Sequence, residues 1–204
     1  RLVLAISLDG RIAMPDGNAT HLGSKEDRLA LEKSLAWSDG TLMGGGTLRA
    51  HRSTCLIHNS QLLNQRRLEG RSNQPISVIV SSQKGFDKTW PFFNQPIERW
   101  IISPQKASSS YKGSAYKHQF LFQTNWETTL SELAKAGLSR LVLLGGANLA
   151  GSLLKADQID ELQITLTPRI IGGDKIWIPS RINDLPQTLL ASDAWILKDN
   201  KVLN

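Results

Sequence analysis

Leu141-Val142-Leu143-Leu144-Gly145-Gly146-Ala147-Asn148-Leu149-Ala150-Gly151 decides how this chain is read. Four apolar residues run straight into two glycines, and Leu149, Leu153 and Leu154 then recur at helical spacing up to Lys155. A continuous apolar run bounded by a turn signal reads as a strand buried on both faces. Paired glycines let the chain turn sharply and remove every Cβ, so that a ligand can approach the backbone. The helix that follows opens with N–H groups that lack an internal partner, which suits an anion. Strand, Gly-Gly and helix point either to a phosphate or pyrophosphate cradle or to a tight turn with no ligand. A glycine pair is a weaker sign than a full dinucleotide fingerprint.

Outward from that stretch, strands and helices alternate. Upstream, residues 126–136 read as a helix closed by Gly137. Residues 2–7 form the first strand, ending at Leu8-Asp9-Gly10, which is turn chemistry. Ser24 caps a helix that runs to about Trp37, with Asp27 three residues on as a weak capping box. Residues 39–43 make a short strand that meets Gly44-Gly45-Gly46-Thr47, a second glycine-rich turn, after which Leu48-Arg49-Ala50 begins another helix. Residues 61–68 read as a surface helix, 76–80 as a strand followed by Ser81-Ser82-Gln83-Lys84, and 99–102 and 119–122 as short strands. Downstream, residues 159–167 alternate apolar and polar up to Pro168. The tail, 187–197 and 201–203 around Asp199-Asn200, reads as an antiparallel hairpin. The order predicts an α/β fold in a single domain, residues 1–204. Its central sheet is mainly parallel, flanked by helices and finished by antiparallel C-terminal strands.

Bulk properties narrow the function classes. With 40% hydrophobic and 21% charged residues, the composition is that of a globular protein rather than a disordered or fibrous one. No apolar run approaches the ~20 residues that span a bilayer, and the first residues read as a strand, not a signal peptide. A single cysteine, Cys55, excludes an internal disulfide, which makes a cytoplasmic setting the expectation. One cysteine and four scattered histidines give no metal-ligand pattern, so no metal is expected. The formal charge of +6 suits a phosphorylated ligand. Its basic residues are dispersed and not interleaved with aromatics, so nucleic-acid binding is not expected.

In a parallel sheet, ligands bind outside the carboxyl ends of the strands. Four turns should gather there, at residues 7–11, 44–47, 81–84 and 145–148. Two are glycine-rich, one carries the carboxylate of Asp9, and one carries hydroxyls and Lys84. An extended phosphate-bearing cofactor fits that inventory, although neither GxGxxG nor a Walker lysine occurs. Asp9 is either a turn former or a site carboxylate. Cys55 reads as an ordinary thiol, and Trp90, Trp100, Trp126 and Trp195 as packing.

Several stretches together resemble the reductase domain of the bifunctional riboflavin-biosynthesis deaminase-reductase. They are Ser7-Leu8-Asp9-Gly10-Arg11-Ile12-Ala13, Ser38-Asp39-Gly40-Thr41-Leu42-Met43-Gly44-Gly45-Gly46-Thr47 and Leu143-Leu144-Gly145-Gly146-Ala147-Asn148-Leu149-Ala150-Gly151. Asp160-Glu161-Leu162, Thr167-Pro168 and Ile171-Gly172-Gly173 complete the series, in the family's order and spacing over nearly the whole chain. The resemblance implies a dihydrofolate-reductase-like fold, a homodimer and NADPH as cofactor. It implies reduction of 5-amino-6-(5-phosphoribosylamino)uracil, or its 2,5-diamino-pyrimidinone analogue, to the ribityl form. Cofactor contacts carried over in this way are Ala5 through its backbone, Thr47, Ser82 and the turn Gly145, Gly146, Ala147, Asn148 and Leu149, and the reading of the turns adds Gly44, Gly45, Gly46 and Lys84. Ser82 and Lys84 would meet the adenosine 2′-phosphate. Asp9, as the catalytic or substrate-orienting carboxylate, with Arg49 and Arg52 would serve the phosphorylated pyrimidine.

Departures from the family fall on the substrate side. Val3 stands where a lysine is frequent, His51-Arg52-Ser53 where a paired aspartate and proline are usual, Leu35 near an expected arginine, and Leu144 at an often acidic position. Two alternatives therefore stay beside the pyrimidine reductase. One is a dihydrofolate- or pterin-type reductase of the same fold, and the other a non-catalytic NADP(H)-binding protein.

Overall fold

A computed structural model describes residues 1–16, 22–82, 85–104, 115–122, 125–179, 182 and 184–203. Lys84 lies outside the described residues. Seven strands form one sheet: β1 (Leu2–Ser7), β2 (Gly40–Gly44), β3 (Ile76–Val80), β4 (Arg99–Ser103), β5 (His118–Leu121), β6 (Leu141–Leu143) and β7 (Leu162–Thr167). Their order is β5-β4-β3-β2-β6-β1-β7. Every ladder is parallel. Helices on the faces bury the central strands, which explains the near-continuous apolar runs of β2, β3, β4 and β6. Leu42, Val78, Ile102 and Leu143 are fully buried in one core cluster with Trp100 and Trp126.

Helices α1 (Lys25–Trp37), α2 (Gly45–His51), α3 (Ser60–Leu68), α4 (Pro91–Asn94), α5 (Trp126–Lys135), α6 (Ala147–Lys155) and α7 (Gln187–Leu190) complete the described elements. Ser24 caps α1 as the sequence suggests, accepting from the N–H groups of Glu26 and Asp27 at 3.2 and 3.3 Å. No capping box forms among the described residues: Glu26 accepts from the Ser24 hydroxyl at 2.8 Å, and the Asp27 carboxylate accepts from the Thr165 hydroxyl instead. Gly137 takes φ +97 just past α5, the left-handed geometry of a helix stop.

Three expectations need correction. The antiparallel C-terminal strands are not formed: β7 runs parallel to β1 from Leu2↔Leu162 to Ser7↔Thr167. Residues 187–190 make a single helical turn after Pro186, and no described residue of the tail enters a strand. Ile196, Leu197 and Val202 are 83%, 78% and 94% exposed, so this tail has no apolar surface against which a hairpin could close. The one antiparallel pairing among the described residues is the bridge Arg11↔Ile176. Secondly, the turn expected at Gly44–Thr47 is absent, because α2 begins at Gly45 directly off β2. Thirdly, α3 is not wholly a surface helix. Arg66 is 1% exposed, and its guanidinium donates to the carbonyls of Ser72, Leu35, Ala36 and Ser38 at 2.7, 3.2, 2.9 and 2.7 Å. It closes the carboxyl end of α1, whose last carbonyls have no helical partners.

Candidate active site

Parallel strands deliver their carboxyl ends to one edge of the sheet, and there the chain leaves a cavity of about 1160 Å³. That exceeds the roughly 300–1,000 Å³ of ordinary small-molecule sites, leaving room for an extended ligand beside a second one.

One wall is built by the two glycine segments. Gly145 and Gly146 adopt φ +107 and +93, a region that side chains avoid, so the chain reverses between β6 and α6 without a Cβ. The Gly44 N–H donates to the Gly145 carbonyl at 3.3 Å, which fastens the exit of β2 to the exit of β6. A Cβ on Gly146 would lie 3.0 Å from the Thr47 hydroxyl and 3.6 Å from the Gly44 Cα. Helix α6 then starts at Ala147 with no side chain capping its first N–H groups. Gly44, Gly45, Gly46, Thr47, Gly145, Gly146, Ala147, Asn148 and Leu149 all line the cavity.

The β3 side is equally close-packed. A Cβ on Gly45 would meet the Ser81 Oγ at 2.7 Å and the Phe86 ring at 3.2 Å. Ser82 and Arg49 line the cavity there, and the Arg49 guanidinium lies 5.4 Å from the centroid of Phe86, a cation–π contact. Across the cavity, Val3, Leu4 and Ala5 of β1, Ile12, Ala13, Leu31 and Leu144 give an apolar wall. Cys55, an exposed free thiol, also lines the cavity.

The three residues expected on the substrate side are not brought together. Arg49 is in the cavity wall, but beside Phe86 on the β3 side. Arg52 ends α2 in the left-handed region (φ +56), is exposed, and does not line the cavity. Asp9 does not line it either. Its carboxylate accepts from the Ser7 hydroxyl at 2.5 Å, the Ile171 N–H at 3.2 Å and the Gly172 N–H at 2.7 Å, with the Arg11 guanidinium 3.7 Å away. These bonds, led by the Ser7 hydroxyl, hold its carboxyl at about 2, below the usual aspartate value. These hydrogen bonds have a structural consequence. Asp9 ties the turn after β1 to residues 171–172, just before the segment in which Asp174, Lys175, Ile176 and Pro179 line the cavity.

A prediction follows from that placement. A carboxylate with a depressed pKa adds stability above its unfolded pKa, near 3.8, and loses it as pH falls towards 2. Asp9→Asn should therefore melt below the wild type at pH 5, with the difference shrinking as the pH drops from 4 to 2. A melting difference independent of pH over that range would contradict the tie.

Asp27, Lys175 and Ile176 line the cavity although nothing in the sequence marked them as site residues. The sequence marks Asp27 only as a cap partner, and no spacing rule links it to β7, whose Thr165 hydroxyl donates to it. Among the described residues, no group of three or more His, Cys, Asp or Glu side chains is placed to hold a metal, and no helix is long and apolar enough to cross a membrane.

The fold and the cavity define an α/β protein with a large cavity at the carboxyl edge of a parallel sheet, against two glycine segments. The sequence model of the RibD C-terminal domain matches residues 1–191, and the chain belongs to that family. The riboflavin biosynthesis protein RibD of Haemophilus influenzae is 27% identical over 178 residues, which cover 85% of this chain and 48% of that protein. The chain thus spans about half the length of that relative. A 2,5-diamino-6-ribosylamino-4(3H)-pyrimidinone 5′-phosphate reductase of Archaeoglobus fulgidus is 27% identical over 175 residues, covering 83% of this chain and 80% of that one. Among solved structures, a pyrimidine reductase-like protein from Corynebacterium diphtheriae superposes with a TM-score of 0.76 at 19% identity, over 91% of this chain and 82% of that one, and shares the fold.

Proposed function

We propose that residues 1–204 form a single NADPH-dependent reductase domain of the riboflavin pathway. Its substrate is a phosphorylated ribosylamino-pyrimidine, the uracil or its 2,5-diamino-pyrimidinone analogue, reduced to the ribityl form. The observation that carries this is the pair of glycine segments, Gly44–Thr47 and Gly145–Leu149, hydrogen-bonded to each other in one cavity wall. Dinucleotides fit such a wall, since glycine at 45 and 146 lets the wall's elements pack closely against Ser81, Phe86 and Thr47, and the first N–H groups of α6 are uncapped. In this reading, the N–H groups of Ala147, Asn148 and Leu149 hold the pyrophosphate. Thr47 and the Ala5 backbone bind nearer the nicotinamide, and Ser82 with Lys84 receives the adenosine end. NADPH held by these residues would supply the hydride for the reduction, in which the ribosyl ring opens between C1′ and O4′ and O4′ gains a proton. The protein orients that carbon, and Val3, Leu31 and Leu144 keep water away. Asp9 acts by positioning the turn rather than by touching substrate. A homodimer, which rests on the family resemblance, and a cytoplasmic setting, which rests on the single Cys55, belong to the same reading.

Arg49 moves from the substrate to the cofactor in this account. Stacked on Phe86 beside Ser82, its guanidinium suits a 2′-phosphate. Loss of a charged hydrogen bond costs about 1.5–3 kcal/mol, so Arg49→Ala should weaken NADPH about tenfold or more and leave NADH nearly unchanged. Fluorescence titration with both cofactors checks this, and an equal loss for the two would remove Arg49 from the 2′-phosphate.

The function itself is tested by steady-state NADPH oxidation with the ribosylamino-pyrimidine phosphates and with dihydrofolate. Turnover with a pyrimidine is expected. Turnover with dihydrofolate alone would indicate a pterin-type reductase. Tight NADPH binding without turnover on any of them would indicate a non-catalytic binder.

A further inference from the structure

One anionic group of the proposed reactants still lacks a cationic partner. In the reading above, the first N–H groups of α6 and the Arg49 guanidinium take the phosphates of the cofactor, and Arg52 does not line the cavity. Among the described residues, Arg49 and Lys175 are the arginine and the lysine that do line it. They belong to different sides of the sheet. Arg49 stacks on Phe86 beside β3, whereas Lys175 follows β7 and lies next to residues 11–12, at the exit of β1. The backbone around Lys175 is held on both sides. The Ile12 N–H donates to the Lys175 carbonyl at 2.9 Å, and the Trp177 N–H donates to the Gly10 carbonyl at 3.3 Å. Upstream, Asp9 accepts from the N–H groups of Ile171 and Gly172. The Lys175 ammonium lies 3.2 Å from Asp174, and the two side chains are 41% and 80% exposed.

We propose that Lys175 binds the 5′-phosphate of the ribosylamino-pyrimidine. This rests on the pyrimidine reductase reading above and names the cation that recognises its substrate's phosphate. An ammonium is a compact point charge with three donors, which it can turn towards phosphate oxygens from a flexible stem. An exposed ion pair contributes little and exchanges readily, so a phosphate dianion can take the place of Asp174, whose carboxylate then turns into solvent. The backbone beneath Lys175 is pinned to residues 9–12, so binding has only the side chain to order. Ile12 and Ala13, which line the cavity beside it, are apolar and offer no competing cation. Asp9 enters this account through the same segment: its bonds to residues 171–172 set where Lys175 begins.

The test is calorimetric titration of NADP⁺-saturated wild type and Lys175→Met with the two ribosylamino-pyrimidine phosphates and with their 5′-dephosphorylated nucleosides. Wild type should prefer a phosphorylated ligand over its nucleoside about tenfold or more. Methionine keeps an apolar stem without the charge, so Lys175→Met should lose most of that preference, hold the nucleoside as tightly as wild type does, and bind NADPH with unchanged affinity. A purely structural Lys175 would weaken phosphate and nucleoside alike and leave their ratio unchanged, which overturns the assignment. A variant that keeps the full wild-type preference overturns it as well while leaving the reductase reading intact. So does a loss confined to NADPH, which would place the ammonium on the cofactor. Binding of none of these ligands to the NADP⁺-loaded wild type would remove the pyrimidine reading itself, and this assignment with it.

Discussion

Gly146→Val should nearly abolish NADPH binding and lower the stability of the fold. Gly146 sits at φ +93 and ψ +101, where a β-branched residue is a backbone outlier that costs about 1–3 kcal/mol. Its Cβ would also press on the Thr47 hydroxyl at 3.0 Å, with the Gly44 Cα 3.6 Å away. Neither neighbour yields easily, since Gly44 is hydrogen-bonded to Gly145 and Thr47 is inside α2. Overpacking of this kind costs a further ~1–3 kcal/mol. Relief by moving α6 away from α2 would open the wall that the pyrophosphate needs. Gly137→Ala separates the two effects. That glycine has φ +97, nothing within 4 Å of its Cβ position, and no place in the cavity wall. It should lose stability from strain and keep its NADPH affinity. Fluorescence titration of both folded variants checks this. Unchanged affinity in folded Gly146→Val would take the α6 turn out of the cofactor site.

Arg66→Leu should cost about 1–3 kcal/mol of folding stability. Four backbone carbonyls, those of Leu35, Ala36, Ser38 and Ser72, accept from this one guanidinium. A buried acceptor left without a donor costs about 1–3 kcal/mol, and leucine supplies none. The loss falls well below the sum because Arg71 already donates to Ala36 and Ser38, and the Leu35 carbonyl also accepts from the N–H and hydroxyl of Ser38, which leaves Ser72 as the carbonyl that depends on Arg66. Burial lowers the Arg66 pKa to about 10, so the group is still a cation at neutral pH. Lysine should rescue only in part, because an ammonium cannot reproduce the planar fork. Urea denaturation gives the number, and a loss under 1 kcal/mol would mean that water replaces the guanidinium without penalty.

Arg66 also shows where the sequence stops being informative. In 61–68 it reads as one cation in a polar helix, and charged residues are seldom buried. Only the folded chain shows that the end of α1 lies beneath it, some thirty residues away in sequence. By contrast, β1, β3 and β6 were legible because an apolar run between turn signals has few other meanings. Ser24 was legible because capping is local. The tail failed for the reason that Ser24 succeeded: Asp199-Asn200 is acceptable turn chemistry, but a hairpin also needs an apolar partner surface, which no local pattern reports. The cavity's backbone half was readable from glycines, since their spacing is itself the geometry. Its side-chain half was not. Asp9 sits in a motif yet is tied to residues 171–172, and Asp27 reaches the cavity through a pairing of α1 with β7 across 138 positions.

The central claim is that this cavity holds NADPH against the ribosyl carbon of a pyrimidine ribosylamine. NADPH deuterated at its nicotinamide C4, incubated with the protein and the ribosylamino-pyrimidine phosphates, tests it most directly, with mass spectrometry and NMR of the product. The account predicts one deuterium at C1′ of a ribityl product. Product without deuterium from either C4-labelled epimer, or no product while NADPH remains tightly bound, would contradict it.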